Sequence, residues 1–373
     1  MNNEVFYNIS KIIERDSKSS TYKFALLRGV IDIIQENSPY IAPYETTGGK
    51  RVQIPTGLLI EKWILYYYPI FQSQTLIPQI NNNTSLAFSK QLSKLITEYE
   101  NRGGFSAFHN DLKSKGIPND LQSDFFELAK QLRYTIKQMP MKYIGRSIND
   151  DFYSIFICDK SRLKRPSHLD IETLISDFGT FSIPYEYYEA FKILGSFING
   201  QDSILFKWAE FSVNASGNNL STSKVLNEVL KGPITERNIT ESKKLYKEIL
   251  KKEGNVHCVW TGKKIVNYAI DHMIPFSVWK NNDLWNLLPS NSLINNQKRD
   301  KIPSPDMIEK QRNRILDYWG IIFESQSQRF QKEIQVALLG NNSFDSWKDT
   351  GISQLKESCN YLIENRGFEA WEI

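Results

Sequence analysis

Cysteine is scarce in this sequence, with three residues among 373, at positions 158, 258 and 359. Their wide spacing excludes a disulfide framework and a four-cysteine zinc site. Long hydrophobic runs are missing as well: the most apolar stretch, Leu58–Phe71, is too short for a membrane span and contains Glu61 and Lys62. The first residues lack the basic start and apolar core of a secretion signal. We therefore expect a cytoplasmic protein with no membrane partner.

Neither sign of charge dominates the sequence, in which 46 Lys and Arg residues face 42 Asp and Glu residues. The distribution is uneven, because residues 223–315 contain 17 basic against 10 acidic side chains, a local balance of +7. A basic segment in a nearly neutral protein indicates an anionic partner, most simply a phosphate backbone. A solvated helix face that includes Lys243, Lys244 and Lys247 explains the same charge, so composition alone does not decide.

Residues 1–222 are predicted to form a helical N-terminal domain. Apolar side chains recur at helical spacing over Tyr22–Ile34, and similar patterns predict helices over Leu58–Tyr68, Leu121–Lys137 and Tyr185–Phe197. Two β-like runs interrupt these helices, at Arg51–Ile54 and Phe152–Cys158. Helices therefore dominate the predicted fold of this region.

The polar, glycine-bearing residues 214–219 indicate a domain boundary, and we place the end of the first domain at residue 222. Connecting helices are predicted over residues 223–253. Between residues 254 and 305 the pattern changes to short β-like runs and turn residues. Residues 306–373 return to helix, and because they are too short to bury a core alone, we expect them to pack on the N-terminal region.

An acidic residue and a histidine, Asp271 and His272, end a β-like run within residues 254–305. Pro275 then breaks the strand, a loop follows, and a second apolar run precedes a helix predicted from about residue 291 to residue 301, with Ser290 as its N-cap. A strand, a loop, a second strand and a packed helix can bring Asp271, His272 and Asn295 to one point.

The chemistry of these three side chains is complementary. Asp271 and Asn295 offer hard oxygen ligands, which suit Mg²⁺ or Mn²⁺ better than Zn²⁺. His272 is then free to act as a base, because the ordinary pKa of histidine lies near neutrality.

This stretch resembles the HNH endonucleases, whose domain is the ββα-metal nuclease fold. The family pattern is Asp-His, a proline soon after, Asn-Leu after a variable loop, and a His or Asn on the helix nine residues later. In this chain those positions are Asp271-His272, Pro275, Asn286-Leu287 and Asn295. The resemblance covers about 50 of the 373 residues and implies a mainly α protein in which a small ββα-metal domain, residues 254–305, lies between two helical regions.

The resemblance implies a role for each matching residue. His272 is the general base that activates water, while Asp271 and Asn295 hold a single Mg²⁺ or Mn²⁺ ion. Asn286 braces the loop and orients the His272 ring through a hydrogen bond. Four basic side chains are expected to contact the phosphates of the nucleic acid: Lys298, Arg299, Lys263 and Lys264.

The sequence departs from the family where many members carry a structural zinc ion on two Cys-x-x-Cys pairs. Here the first pair is reduced to Cys258 with Thr261, and the positions of the second pair hold Asn291 and Ile294. One sulfur atom out of four cannot make the site, so we predict no structural zinc.

The function implied by the resemblance is metal-dependent hydrolysis of DNA phosphodiester bonds. Similar nucleases belong to bacterial restriction or anti-phage defence, so we expect a gated effector whose first 222 residues choose the substrate or dock a partner protein or activator. Two alternatives stay open, a non-cleaving nucleic-acid-binding subunit of a larger complex and a nuclease that cleaves RNA. A single HNH site cuts one strand per visit, which makes a homodimer compatible with double-strand cleavage.

Overall fold

A computed structural model describes residues 18–81, 85–144, 154–199, 204–229, 237–279 and 281–373, together with residues 5, 7–9 and 12. The chain divides into two compact units, Met1–Ile234 (unit 1) and Thr235–Ile373 (unit 2). Helices dominate and the strands are short, which confirms the predicted mainly α fold. Within the described ranges, no helix is both long enough and apolar enough to cross a lipid bilayer.

Unit 1 is built mainly from helices. In chain order they are α1 (Tyr22–Gln35), α2 (Thr56–Gln72), α3 (Ser89–Glu100), α4 (Gly104–Asn110), α5 (Gln122–Gln138), α6 (Pro140–Tyr143), α7 (Ile171–Asp177), α8 (Tyr185–Asn199), α9 (Ile204–Ala215) and α10 (Thr222–Val229). The four helices predicted from apolar spacing correspond to α1, α2, α5 and α8, and are therefore confirmed.

Helix α2 is buried along almost its whole length, which explains why its sequence is apolar nearly all round. Its two charged side chains are both paired. The Glu61 carboxylate lies 2.6 Å from Lys113 Nζ, and Lys62 Nζ lies 2.5 Å from the carboxylate of Glu36. Because an unpaired charge in the core is strongly destabilising, these ion pairs allow a charged dipeptide to occupy the centre of the unit.

A four-stranded antiparallel sheet completes unit 1. Its strands, in spatial order, are β1 (Ala42–Thr46), β2 (Gly49–Pro55), β4 (Thr180–Pro184) and β3 (Ile157–Cys158). Val52 lies opposite Ile183 in the register, and both side chains are buried. The β-like run Arg51–Ile54 is confirmed as part of β2. Of the second predicted run, residues 152 and 153 lie outside the described residues, and the strand begins at Ile157.

Gly57 marks the closest approach of α2 to α7. A Cβ atom at this position would lie 1.8 Å from the backbone oxygen of Leu174, which no rotamer change can relieve. We expect Gly57→Ala to destabilise unit 1 by about 1–3 kcal/mol or more, because the two helices must move apart. Gly320→Ala, within α15 (Arg312–Ser325), places its added Cβ atom in open space and should instead stabilise unit 2 by about 0.5–1 kcal/mol. Thermal unfolding of the two variants checks this, and equal shifts of the same sign would contradict the packing described.

Unit 2 combines pairs of short strands with helices. The strands are β5 (Val256–His257), β6 (Lys264–Ile265), β7 (Ala269–His272), β8 (Leu287–Ser290), β9 (Ile302–Pro303) and β10 (Ala370–Trp371). The helices are α11 (Thr240–Glu253), α12 (Phe276–Trp279), α13 (Ser292–Lys298), α14 (Pro305–Lys310), α15, α16 (Ser327–Ile334) and α17 (Trp347–Glu364). Strand β5 pairs with β6 and β7 with β8, both antiparallel, while β9 and β10 are parallel.

The helices after residue 305 complete the core of unit 2, and the expected packing of residues 306–373 on the N-terminal region stays a prediction. Trp319, Phe330 and Leu355 from these helices belong to the same buried cluster as Ile270 and Trp285 from the strand-rich segment. The physical reason is that strands of two to four residues cannot bury a core by themselves, so their apolar side chains need the helices that follow.

The division between the units falls at residues 234 and 235, later than the expected end of the first domain at residue 222. The polar residues 214–219 comprise the end of α9 and a turn, closed by a hydrogen bond from the Asn218 amide to the Val213 oxygen at 3.0 Å. Helix α10 then packs against α9 and α2 within unit 1. The predicted connecting segment 223–253 therefore separates into α10 in unit 1 and α11 in unit 2.

Candidate active site

Strands β7 and β8 and helix α13 form the arrangement of strand, loop, strand and helix expected for the site. Asp271 and His272 end β7, which pairs antiparallel with β8. Helix α13 begins after Asn291, whose side chain accepts a hydrogen bond from the Leu293 amide at 2.9 Å. Asn291 is therefore the N-cap instead of the predicted Ser290, because Ser290 still belongs to β8.

The carboxylate of Asp271 is buried and held by two protein donors. Trp260 Nε1 donates to Oδ2 at 2.5 Å, and Lys298 Nζ donates to Oδ1 at 3.1 Å. Burial raises the pKa of Asp271, although the Lys298 ammonium and the Trp260 hydrogen bond oppose that rise. The carboxylate thus sits in a site whose protein partners favour its ionised form.

Lys298 has a different place from the one expected for it. Its side chain is 0% exposed, and its ammonium also donates to the backbone oxygen of His272 at 2.7 Å. It is therefore the counterion of Asp271 in this conformation, in which it is not accessible to a phosphate, and the expected phosphate contact stays a prediction. Residue 298 comes three positions after Asn295 and so lies on the same side of α13, which packs against β7.

The His272 ring is buried beneath Asn282. Its Nε2 lies 3.4 Å from Asn282 Oδ1, and the same oxygen accepts a hydrogen bond from the Asn238 amide at 3.0 Å. Because the Asn238 backbone amide donates to it, this Asn282 atom is the oxygen, which can only accept. His272 Nε2 must therefore carry the proton, and the lone pair lies on Nδ1. That Nδ1 atom is buried and has no hydrogen-bond partner among the described residues.

Burial also determines the charge of this ring. It lowers the pKa of His272 to about 4, and the nearby Arg237 guanidinium contributes to the decrease, while the Asn282 hydrogen bond opposes it. At neutral pH the imidazole is therefore uncharged, with Nδ1 able to accept a proton.

Asn286 braces the loop between β7 and β8. Its Oδ1 accepts a hydrogen bond from the Ile274 amide at 2.8 Å, and its Nδ2 donates to the Ile274 oxygen at 3.0 Å. The Met273 amide also donates to the backbone oxygen of Asn286, at 2.8 Å. The expected hydrogen bond from Asn286 to the His272 ring is not formed in the structure, where the Asn286 amide is directed at the backbone of Ile274. Asn282 makes that contact instead.

The remaining predicted residues lie on the surface of unit 2. Asn295 is partly exposed on α13, and Arg299, which ends that helix at φ 51°, is exposed. Lys263 and Lys264 are exposed in the hairpin of β5 and β6. All four side chains are accessible to a ligand in solution, in contrast to Lys298.

Two residues near His272 were missed by the sequence analysis. Asn282 lies in a polar turn where the sequence contains no sign of which side chain faces the histidine. Arg237 precedes α11, more than thirty residues before β7, and donates from Nη2 to the Ile270 oxygen at 3.2 Å. Its place in the basic segment 223–315 is the one signal that pointed to it.

The segment around Cys258 is fastened to α13 and α15 by hydrogen bonds. The buried Cys258 thiol accepts a hydrogen bond from the Asn291 amide at 3.3 Å. Arg314 from α15 donates to the Val259 oxygen at 3.0 Å and packs against Gly262. These contacts join the two places where the family resemblance puts cysteine pairs, and the predicted absence of structural zinc stays a prediction.

Asp271 and Asn295 suit a hard divalent cation by the chemistry of their oxygens. Each Asp271 oxygen retains a lone pair beyond the hydrogen bond described above. Within the described part of the chain, no group of three or more His, Cys, Asp or Glu side chains is placed to hold a metal. A cation held by Asp271 and Asn295 would need further ligands from outside this group of side chains. Lys298 occupies one side of the carboxylate and competes with a cation there.

Two family models match the chain. A model described as an HNH endonuclease matches residues 258–304, which contain β7, β8 and α13. A model described as a domain of unknown function (DUF8808) matches residues 2–229, which is most of unit 1. No curated protein and no solved structure matches the chain.

Proposed function

Because this chain belongs to the DUF8808 family and carries an HNH endonuclease domain at residues 258–304, we propose that it hydrolyses DNA phosphodiester bonds with the help of a divalent metal ion. The observation that carries this proposal is the state of His272. Asn282 keeps the ring proton on Nε2, so that Nδ1 carries the lone pair and can act as the base. This Nδ1 atom has no hydrogen-bond partner in the described part of the chain.

In the proposed reaction, His272 Nδ1 accepts the proton of the attacking water. Asn282 holds the ring in the required tautomer, and Asn286 keeps the loop beside it in place. Asp271 and Asn295 would hold the metal, which when bound supplies Lewis-acid stabilisation of charge on the phosphate.

The nucleic acid would be gripped by basic side chains on the surface of unit 2. Arg237, Arg299, Lys263 and Lys264 are exposed, and Arg237 contacts β7, the strand that carries the base. Arginine and lysine bind phosphate oxygens through charge-assisted hydrogen bonds. Arg237 joins the set expected from the sequence, whereas Lys298 is buried in this conformation.

Gating of the nuclease is supported by the burial of its base. The His272 side chain is 3% exposed, and Phe276 packs edge-on against it with ring centroids 5.4 Å apart. Water and phosphate can reach the buried Nδ1 only after the side chains packed around the ring have moved. We therefore propose a bacterial restriction or anti-phage effector that is silent until a partner, an activator or a modified target opens the site.

One observation favours the alternative of a non-cleaving nucleic-acid-binding module. Both oxygens of Asp271 are engaged by Trp260 and Lys298, and the lysine ammonium lies where a cation would otherwise bind. In a protein that never takes up a metal, that ion pair would be a permanent part of the core.

Metal removal separates the two functions. The purified full chain is incubated with supercoiled plasmid in Mg²⁺, in Mn²⁺ or in EDTA, alone and with an extract of phage-infected bacteria. We expect nicked or linear product in Mg²⁺ or Mn²⁺ and none in EDTA, because the metal supplies charge stabilisation worth several kcal/mol in the transition state. Parallel reactions with single-stranded DNA and RNA identify the substrate class.

Cleavage that continues in EDTA would contradict the proposed metal dependence. An intact plasmid under all conditions, together with DNA binding that does not need metal, would support the non-cleaving module. Degradation of RNA with sparing of the plasmid would replace DNA by RNA as the substrate.

A further inference from the structure

A basic groove lies in unit 1, far along the chain from the HNH domain. It has a volume of about 850 Å³ and runs between helix α5 and the irregular segment 159–165. Five of its lining side chains are cationic and one is acidic: Lys130, Arg133, Lys137, Lys160 and Arg165, with Asp159. We call this feature the basic groove. Such a concentration of one sign of charge focuses an attractive potential on anions.

Two of the cations build the groove and are not available to a ligand. Lys137 Nζ donates to the Asp159 carboxylate at 2.6 Å and to its backbone oxygen at 2.7 Å. Arg133 donates to the backbone oxygens of Ser161 and Phe178, both at 2.8 Å. These bonds fasten segment 159–165 to α5. They also engage the carboxylate of Asp159, the one acidic residue of the lining. Asp159 therefore does not neutralise the exposed cations of the same segment.

Segment 159–165 also carries exposed cations beside the groove, and we call Lys160, Arg162 and Lys164 the outer rim. Lys160 lines the groove itself, whereas Arg162 and Lys164 lie next to its lining residues in the chain. All three are exposed, and none of them forms an ion pair within the described residues. A two-residue step in an extended chain spans about 7 Å at most, so that the row from residue 160 to residue 164 reaches up to about 14 Å. A row of that length exceeds a single phosphate group and matches several successive phosphates of a nucleic-acid strand.

An aromatic side chain stands beside this row. Tyr134 lines the basic groove and is 62% exposed, while Arg165 lies over the Phe126 ring at 5.5 Å from its centroid. Tyrosine is among the side chains that hydrogen-bond to phosphate and sugar in protein–DNA contacts. The groove therefore combines long-range attraction with a polar group that can make direct contact.

We propose that the basic groove and the outer rim beside it bind the phosphate backbone of duplex DNA and form a second DNA contact outside the HNH domain. The choice of DNA rests on the proposed function. The choice of a polyanion rests on the extended row of exposed charges, which has more positive charge than a compact anion can neutralise. A backbone contact of this kind does not depend on base sequence, and it holds the chain on DNA independently of the nuclease site.

Charge reversal of the rim tests the proposal. The full chain carrying Lys160→Glu, Arg162→Glu and Lys164→Glu is compared with a control carrying Lys90→Glu, Lys115→Glu and Lys224→Glu. The control residues are exposed elsewhere in unit 1, and both triple variants change the net charge equally. Binding to a fluorescent duplex of about 30 base pairs, long enough to extend past several phosphate contacts, is followed by anisotropy in EDTA over a series of salt concentrations.

We expect the rim variant to bind DNA at least tenfold more weakly than the wild type, and the control within about twofold. The slope of log K against log salt should fall by about two to three for the rim variant only, because three phosphate contacts are lost. Equal weakening in both variants, an unchanged rim variant, or wild-type protein that does not bind duplex DNA would overturn the proposal. So would tighter wild-type binding to an RNA duplex of the same length.

Binding in EDTA is measured without any cleavage, so the outcome is independent of the proposed reaction. A wild-type chain that binds DNA through the outer rim but never cuts it would support this proposal and contradict the proposed nuclease activity. A wild-type chain that cuts DNA, together with triple variants that both bind it equally, would support the nuclease activity and contradict the second DNA contact.

Discussion

Replacing His272 with alanine is expected to lower the rate of DNA cleavage by about 10²–10⁴-fold, the contribution of a positioned general base. The methyl group of alanine cannot accept the proton that Nδ1 takes from the attacking water. The rate is measured from nicking of supercoiled plasmid in Mg²⁺, under the condition in which the wild-type chain is active.

Two further variants test whether the loss of activity comes from the proposed base. Asn282→Ala removes the acceptor that keeps the proton on His272 Nε2, so we expect an intermediate loss of about 10–100-fold. His257→Ala removes an exposed imidazole of unit 2 whose contacts with Tyr318 come from its backbone alone, and it should cleave at the wild-type rate. Cleavage that survives His272→Ala, or that fails equally in His257→Ala, would show that this base assignment is wrong.

Lys298→Met is expected to destabilise unit 2 by about 3–5 kcal/mol, because it leaves the buried Asp271 carboxylate without its counterion. Methionine has nearly the length of the lysine stem and removes only the charge. Unfolding in urea with EDTA present, followed by tryptophan fluorescence, measures the effect. The signal reports mainly on unit 2, which contains Trp260, Trp279, Trp285, Trp319, Trp347 and Trp371 of the eight tryptophans.

The double variant Asp271→Asn with Lys298→Met removes both charges and should recover most of the lost stability. Added Mn²⁺ should stabilise Lys298→Met more than the wild type, since a metal ion can then take the place of the ammonium beside Asp271. A single variant as stable as the wild type would contradict the importance of the ion pair. A Lys298→Met chain indifferent to Mn²⁺ would count against Asp271 as a metal ligand.

The local parts of the site were predictable from the sequence. Asp271, His272 and Asn286 belong to a stretch of sixteen residues, and the alternation of apolar runs with a proline and a polar loop is enough to predict two paired strands. The helix that carries Asn295 follows at once. Contacts at such short separations along the chain depend little on the rest of the fold.

The parts that were missed or misassigned depend on distant contacts. The hydrogen bond of Asn282 to His272 is supported by Asn238, which lies more than forty residues earlier. The burial of Lys298 depends on the direction of one helix face, and a lysine at that position is equally typical of a solvated surface. To predict where residues 306–373 pack, one would need to know which apolar surface the short strands leave uncovered.

The last strand pair described for unit 2 has a consequence for the order in which the protein is made. Strand β10 pairs with β9, and Trp371 packs edge-on against Trp260, whose indole nitrogen holds the Asp271 carboxylate. The support of this carboxylate is therefore incomplete until residue 371 has left the ribosome, after all of unit 1 has emerged and had time to fold. On the proposed function, the pocket that holds the Asp271 carboxylate would thus be completed only after unit 1 has been synthesised.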